Sequence, residues 1–140
     1  MLKVANAILF NRDQYVLHLR DNIPTIPAAG KWALFGGQVE ADEDSRTAII
    51  REIKEELCIS LDNPQLLWVY DHFSEWGDKA IFIFFICDVT KQWEEHRLTE
   101  GQAVGCFSYD QIAELDVQPF IRNVLTRYHK EKSRQGGRLV

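Results

Sequence analysis

Residues 80–87 read Ala-Ile-Phe-Ile-Phe-Phe-Ile-Cys, eight apolar positions in a row with no charge among them. A strand with one wet face alternates apolar and polar residues, so a run without alternation predicts a central strand covered on both faces. The rest of the chain must supply those covers. Eight residues are also far fewer than the ~20 that cross a bilayer, so a soluble protein with no membrane contact is expected. At 140 residues and 46% apolar content, the chain can build one real core and is too short for two domains.

The flanking pattern fills in the layers. Residues 4–10 and 14–19 bracket the turn-forming Asn11-Arg12-Asp13 and read as a hairpin. Residues 21–31 hold Pro24, Pro27 and Gly30 without periodicity and read as a loop, and residues 32–35 as a short strand ending at Gly36-Gly37. From Asp44, where either Asp44 or Ser45 can cap a helix, Ile49, Ile53 and Leu57 recur every four positions with Ile50 beside them, the stripe of an amphipathic helix. Residues 66–70 and 103–109 read as further strands. Ser108-x-x-Gln111 is a capping-box signature for a short helix to about Leu115, and Pro119 suits the first turn of a last helix to Tyr128. With no internal repeat, these elements predict an α+β chain, helices packed on a mixed sheet.

Three cysteines, Cys58, Cys87 and Cys106, form no C-x-x-C pair and leave one over, which argues against a disulfide framework or a zinc site and for a reducing compartment. The apolar run after Met1-Leu2-Lys3 is interrupted by Asn6 and lacks the core of a signal peptide. A cytoplasmic location is the expectation.

The net charge of -5 is unevenly spread: +2 over residues 1–39, -4 over 40–56, -8 over 57–121 and +5 over 122–140. The overall acidity, with the basic residues gathered at the chain end, argues against a nucleic-acid partner. Within the 40–56 window, Glu52, Glu55 and Glu56 fall within about 100° of one another on the helix, and the small Ala48 leaves room a turn earlier. A solvated face would alternate its signs. Here Glu52 and Glu56 repel at i,i+4, at ~0.2–0.5 kcal/mol for such a pair, with only Arg51 to offset them. A hard divalent cation reverses that repulsion: Mg²⁺ takes carboxylate and water oxygens and completes its shell with substrate phosphate. Mg²⁺, with Mn²⁺ as a substitute, is therefore the expected cofactor. Asp42-x-Asp44 lacks the third ligand and glycine of a calcium loop.

The stretch from Gly37 to Ile59 resembles the Nudix box, G-x5-E-x7-R-E-U-x-E-E-x-G-U, where U is aliphatic. Gly37, Glu43, Arg51, Glu52, Ile53, Glu55, Glu56 and Ile59 all stand in place, and Cys58 replaces the second glycine. The resemblance implies a Nudix fold, an α/β/α sandwich, over residues 1–130, followed by a basic tail at 131–140 that is expected to be flexible. It implies hydrolysis of the pyrophosphate linkage in a nucleoside diphosphate linked to another moiety, a nucleoside triphosphate or a related derivative. It makes Glu52, Glu55 and Glu56 metal ligands, Gly36 a carbonyl ligand, Glu55 a candidate proton acceptor, and Arg51 and Glu43 the residues that orient the carboxylates. The metal would neutralise phosphate charge, acidify a water and template in-line attack, and a nearby carboxylate would accept the proton. The expected partner is a nucleotide-type small molecule, with a homodimer left open. The alternative is a Nudix-fold module that binds a nucleotide without cleaving it; lost box carboxylates would mark it, and none is lost.

Thr99-Glu100-Gly101-Gln102 is similar to the stretch from which mutator-type 8-oxo-dGTP pyrophosphatases bring a further glutamate to the metal. Glu100 is thus a second catalytic carboxylate candidate, with a solvated loop residue as the plainer reading. Arg20, closing the second strand, can reach a substrate phosphate or simply sit at the surface. Trp32 and Phe35 flank the box and can stack on a base, although Phe35 suits the core at least as well. Two departures stand out. Cys58 occupies a helix end where a left-handed backbone is common, at a cost of about 1 kcal/mol for a non-glycine residue. Val117-Gln118 stand where the mutator-type enzymes carry a purine-reading asparagine, which leaves the substrate open.

Overall fold

The computed structural model describes residues 1–138, with side chains through Arg134. β1 (Leu2–Asn11) and β2 (Gln14–Leu19) form the expected hairpin, with Arg12 in a left-handed turn conformation at φ 51°. Their pairing lasts only from Leu9↔Val16 to Asn11↔Gln14, and beyond it the two strands part. The chain enters this fork twice. β3 (Trp32–Ala33) pairs with the end of β2, and β4 (Phe35–Gln38) pairs with the first half of β1. The single strand expected over 32–35 is therefore two, broken at Leu34, because its halves serve different neighbours. The buried His18 ring closes the break: its Nε2–H donates to the Leu34 carbonyl at 3.1 Å.

β6 (Lys79–Asp88) lies between β1, which it parallels from Leu2↔Ala80 to Phe10↔Asp88, and the antiparallel edge strand β5 (Gln65–Phe73). β7 (Ala103–Phe107) pairs with β2. The result is one seven-stranded mixed sheet, ordered β3-β2-β1-β6-β5, with β4 joined to β1 and β7 to β2. Side chains alternate between two cores, as the strand period of two requires. Ala5, Ala7, Leu9, Ile83 and Phe85 pack beneath α1 (Ser45–Leu57), whereas Ile8, Phe10 and Phe84 join Ile121, Val124 and Leu125 of α3 (Pro119–Arg138). The uncharged run is thus covered on both faces, in an α/β/α sandwich. Ile49, Ile53 and Leu57 are fully buried, each contributing about 1.5–3 kcal/mol relative to exposure.

α2 (Tyr109–Ile112) is shorter than the helix expected to reach Leu115, and β7 stops at Phe107 because Ser108 is already its cap. The Ser108 hydroxyl accepts from Gln111 N–H (3.2 Å), and the Gln111 side chain accepts from Ser108 N–H (2.8 Å). A 3-10 turn at Thr90–Glu95 carries no side-chain cap that sequence could have announced. α3 runs past Tyr128 to Arg138, so the backbone of the basic segment is helical through residue 138, and residues 139 and 140 lie outside the described residues. Arg127, 4.0 Å above the Trp68 ring and donating to the Tyr70 hydroxyl at 2.6 Å, ties this helix to β5. Among the described residues no helix is long and apolar enough to cross a membrane.

Candidate functional site

The site begins at the cap of α1. The Asp44 carboxylate accepts from Thr47 N–H at 2.7 Å, which starts the helix about two turns before the glutamates. Arg51 then braces the loop before the helix against it. Its guanidinium donates to both Glu43 oxygens, at 2.6 and 3.2 Å, and to the Gln38 carbonyl at 3.1 Å, and it reaches Glu52 at 2.9 Å and Glu55 at 3.5 Å. These bonds hold Glu43 well below the usual carboxylate range, chiefly through Arg51 and then through the Glu40 N–H, and keep Arg51 charged. At the other end of the helix, Cys58 adopts the left-handed conformation of the glycine it replaces (φ 59°), and its N–H donates to the Lys54 carbonyl.

β4 brings backbone against the glutamates. Gly36 N–H donates to Glu56 Oε1 at 3.2 Å. A Cβ at Gly36 would collide with the Ala5 backbone carbonyl, so that place needs glycine, and one at Gly37 would push the Glu52 carboxylate out of its position. Glu56 is buried, which pushes its carboxyl up to about 8, with the charge of Glu52 adding to the effect. Burial raises Glu52 as well, and the neighbouring Glu55 charge acts in the same direction, against the Arg51 guanidinium, which lowers it. One buried and one partly buried carboxylate with so few donors carry an electrostatic cost that a hard cation would cancel, and an all-oxygen donor set suits Mg²⁺ or Mn²⁺. Glu55 stands apart, its side chain 59% exposed beside Arg51. Among the described residues no three acidic, histidine or cysteine side chains converge on one point. Recruiting Glu55 requires its side chain to turn away from Arg51, a rotamer change at i,i+3 and i,i+4 spacing.

Glu100 sits in a loop fastened on both sides. Thr99 N–H donates to the Glu56 carbonyl (3.1 Å), and the Thr99 hydroxyl to the Glu55 carbonyl (2.7 Å). Beyond it, Gln102 N–H donates to the Leu19 carbonyl and its amide to the Arg20 carbonyl, both at 2.8 Å. The loop therefore spans the C-terminal end of α1 and the end of β2, and the Glu100 charge is felt at Glu56. Arg20 also acts on Glu56, lowering its carboxyl, and the buried Arg20 Nε lacks a hydrogen-bond partner among the described residues.

Arg20 and residues 36–38 form one side of a cavity of about 950 Å³ whose floor crosses the sheet through Val4, Asn6 and Phe82. Its far wall is aromatic. His72 stacks on Phe120 at 4.1 Å, Phe82 meets Phe120 edge-on at 5.0 Å, and Trp76 at the β5–β6 turn is 57% exposed. Neither aromatic residue named from the sequence belongs to this wall. Phe35 is 0% exposed, stacked on His18 in the core under α1, because strand alternation sends Leu34 and Gly36 to the cavity face and Phe35 to the opposite one. Trp32 packs edge-on against Phe107 at 5.0 Å and supports the other core. Gln118, which stands beside Val117 at the purine-reading position, does line the cavity, whereas residues 72–76 and 119–121 reach it only through the fold; two aromatics, Phe73 and Trp76, beside a turn at Gly77 are the signal the sequence offers for them.

A family model described as NUDIX domain matches residues 2–128. The uncharacterized Nudix hydrolase YvcI of Bacillus subtilis (strain 168) is 33% identical over 79 residues, 56% of this chain and 46% of that protein. The CTP pyrophosphohydrolase of Escherichia coli (strain K12) is 42% identical over 59 residues, 42% of this chain and 42% of that protein. The matched stretch thus spans less than half the length of either curated relative. Among solved structures, the MutT NUDIX hydrolase from Burkholderia pseudomallei superposes with a TM-score of 0.74 at 26% identity, covering 89% of this chain and 95% of that one.

Proposed function

The chain belongs to the NUDIX family, and from that premise we propose that it is a divalent-cation-dependent pyrophosphohydrolase acting on a nucleoside diphosphate linked to another moiety. The observation that carries this reading is the Glu52–Glu56 carboxyl pair, buried against Gly36-Gly37 at the edge of the cavity that Arg20 lines. Glu52, Glu56, the Gly36 carbonyl and a reoriented Glu55 would hold Mg²⁺ or Mn²⁺, which supplies charge neutralisation at the diphosphate. Arg51 and Glu43 position these carboxylates. Arg20 offers a guanidinium to phosphate, and Glu55 or Glu100 accepts the proton of the attacking water. A relative named as acting on CTP supports a nucleotide substrate. A cytoplasmic location belongs to the same reading.

The test is a panel of nucleoside triphosphates, dinucleoside polyphosphates, ADP-ribose and nucleotide sugars with Mg²⁺ or Mn²⁺, resolving phosphate, pyrophosphate and nucleoside monophosphate. Metal-dependent release of a monophosphate supports the proposal. Binding without any cleavage would replace it with the non-catalytic module. Glu100→Gln should lower turnover about tenfold or more if the loop carboxylate takes part, whereas wild-type kinetics would return Glu100 to solvent.

A further inference from the structure

The cavity is electrically polarised along its length. Gln38 pairs with Val4, Val4 with Phe82 and Phe82 with Tyr70, so the β4 side and the β5 side are three strands apart. At ~4.8 Å per strand that is about 14 Å, the reach of a nucleoside diphosphate from phosphate to base. The near end carries Arg20, whereas the far end carries Glu75 and Asp78 at the β5–β6 turn. Lys31, the other cation lining the cavity, pairs with Asp116 at 3.3 Å. A second phosphate or an acidic group at the far end would meet repulsion there.

Glu75 is held in place. Its Oε1 accepts from Ala28 N–H at 2.8 Å, where the 20–31 loop crosses to the turn with Ala28 in a left-handed conformation (φ 55°). The turn itself is closed by Ser74 N–H to the Asp78 carbonyl (2.8 Å) and by Asp78 N–H to the Ser74 hydroxyl (3.2 Å). Among the described residues Oε2 carries no hydrogen bond. Beside it, the His72–Phe120 stack and Trp76 offer flat surface to a planar ring.

We propose, resting on the hydrolase reading above, that Glu75 is a specificity-determining residue: at the aromatic end of the cavity its free oxygen selects nucleobases bearing an exocyclic amino group over uracil and thymine. Cytosine, adenine and guanine each present an N–H₂ donor to such a carboxylate. The only ring donor of uracil or thymine is flanked by two carbonyl oxygens, which a carboxylate repels. Glu75→Gln keeps an oxygen for Ala28 N–H and turns an amide donor toward the cavity, which reverses the match.

The experiment titrates CMP, AMP, GMP and UMP into wild type and Glu75→Gln by calorimetry without metal, and compares kcat/KM for the four triphosphates with Mg²⁺. Wild type should favour the amino-bearing bases over uracil by about tenfold, and Glu75→Gln should abolish or invert that ratio. Equal affinities in wild type, or a ratio unchanged in the variant, would overturn the proposal while leaving hydrolysis intact. No nucleotide binding and no cleavage at all would overturn the hydrolase reading, and the selectivity with it.

Discussion

One side of the cavity is lined by Gly36, Gly37 and Gln38, whose glycine backbone also meets the glutamates of α1, so a single stretch, residues 36–56, joins cavity wall and carboxylates across twenty positions of sequence. The aromatic end draws on residues 27–28, 72–78, 82 and 118–121, brought together only by the sheet and α3. The first is charged, braced by Arg51 and fixed in spacing; the second is planar, partly exposed and assembled from loops. Under the proposed function, work on the phosphate would demand fixed geometry, which local sequence can enforce, whereas choosing the attached group would fall to surfaces that can change one at a time.

Substitutions at the two ends should therefore fail differently. The largest effect is expected for Glu55→Gln and Glu56→Gln, with kcat reduced 10² or more at saturating Mg²⁺ and KM little changed. Glu56→Gln keeps an acceptor for Gly36 N–H, so its metal-free melting temperature should not fall. Normal turnover in either variant would erase the distinction between the ends.

Next in size is the seam where the halves join. His18 stacks on Phe35 in one core and holds Leu34, which belongs to the other. Burial, helped by the Arg20 charge, lowers its pKa from 6.5 to about 4, against the Leu34 carbonyl and Asp21, which favour the proton. The unfolded chain accepts a proton near pH 6.5 that the folded chain refuses until about pH 4, so this contribution is complete above 6.5 and is lost as pH falls through that window. It amounts to about 2 kcal/mol between about pH 7 and 5. Glu56 acts in the opposite sense, its retained proton costing stability as pH rises from 4.5 toward 8. Denaturant unfolding of wild type minus His18→Gln isolates the histidine; parallel pH profiles would assign it no such role.

At the aromatic end, His72→Ala should raise KM about tenfold with kcat within about twofold, as expected for lost stacking. A drop in kcat alone would move His72 to the chemical side. The smallest effect is expected for Cys58→Gly, which relieves a left-handed residue and should raise stability by about 1 kcal/mol or less without altering kinetics. A change in turnover would mean that the helix end bears on the glutamates.

The same contrast decided what could be read in advance. The α1 stripe, the Asp44 cap, the hairpin and the Ser108–Gln111 box are local patterns, and each formed where its residues stood. The break at Leu34 was hidden because it depends on which strand lies alongside, and on a histidine sixteen residues earlier. Phe35 and Trp32 were drawn toward the site by nearness in sequence, whereas His72 and Phe120 reach the cavity from strands and helices far along the chain.

The parallel pairing of β1 with β6 also bears on how the molecule comes into being. Residues 2–10 must meet residues 80–88 before the cavity has a floor, while β4 and α1 can settle on β1 as soon as residue 57 exists. Closing the longer loop is the slower event. A chain leaving the ribosome is thus expected to gather its carboxylates before its cavity has a floor, so under the proposed function the means of chemistry would precede the means of selection within each molecule's own assembly.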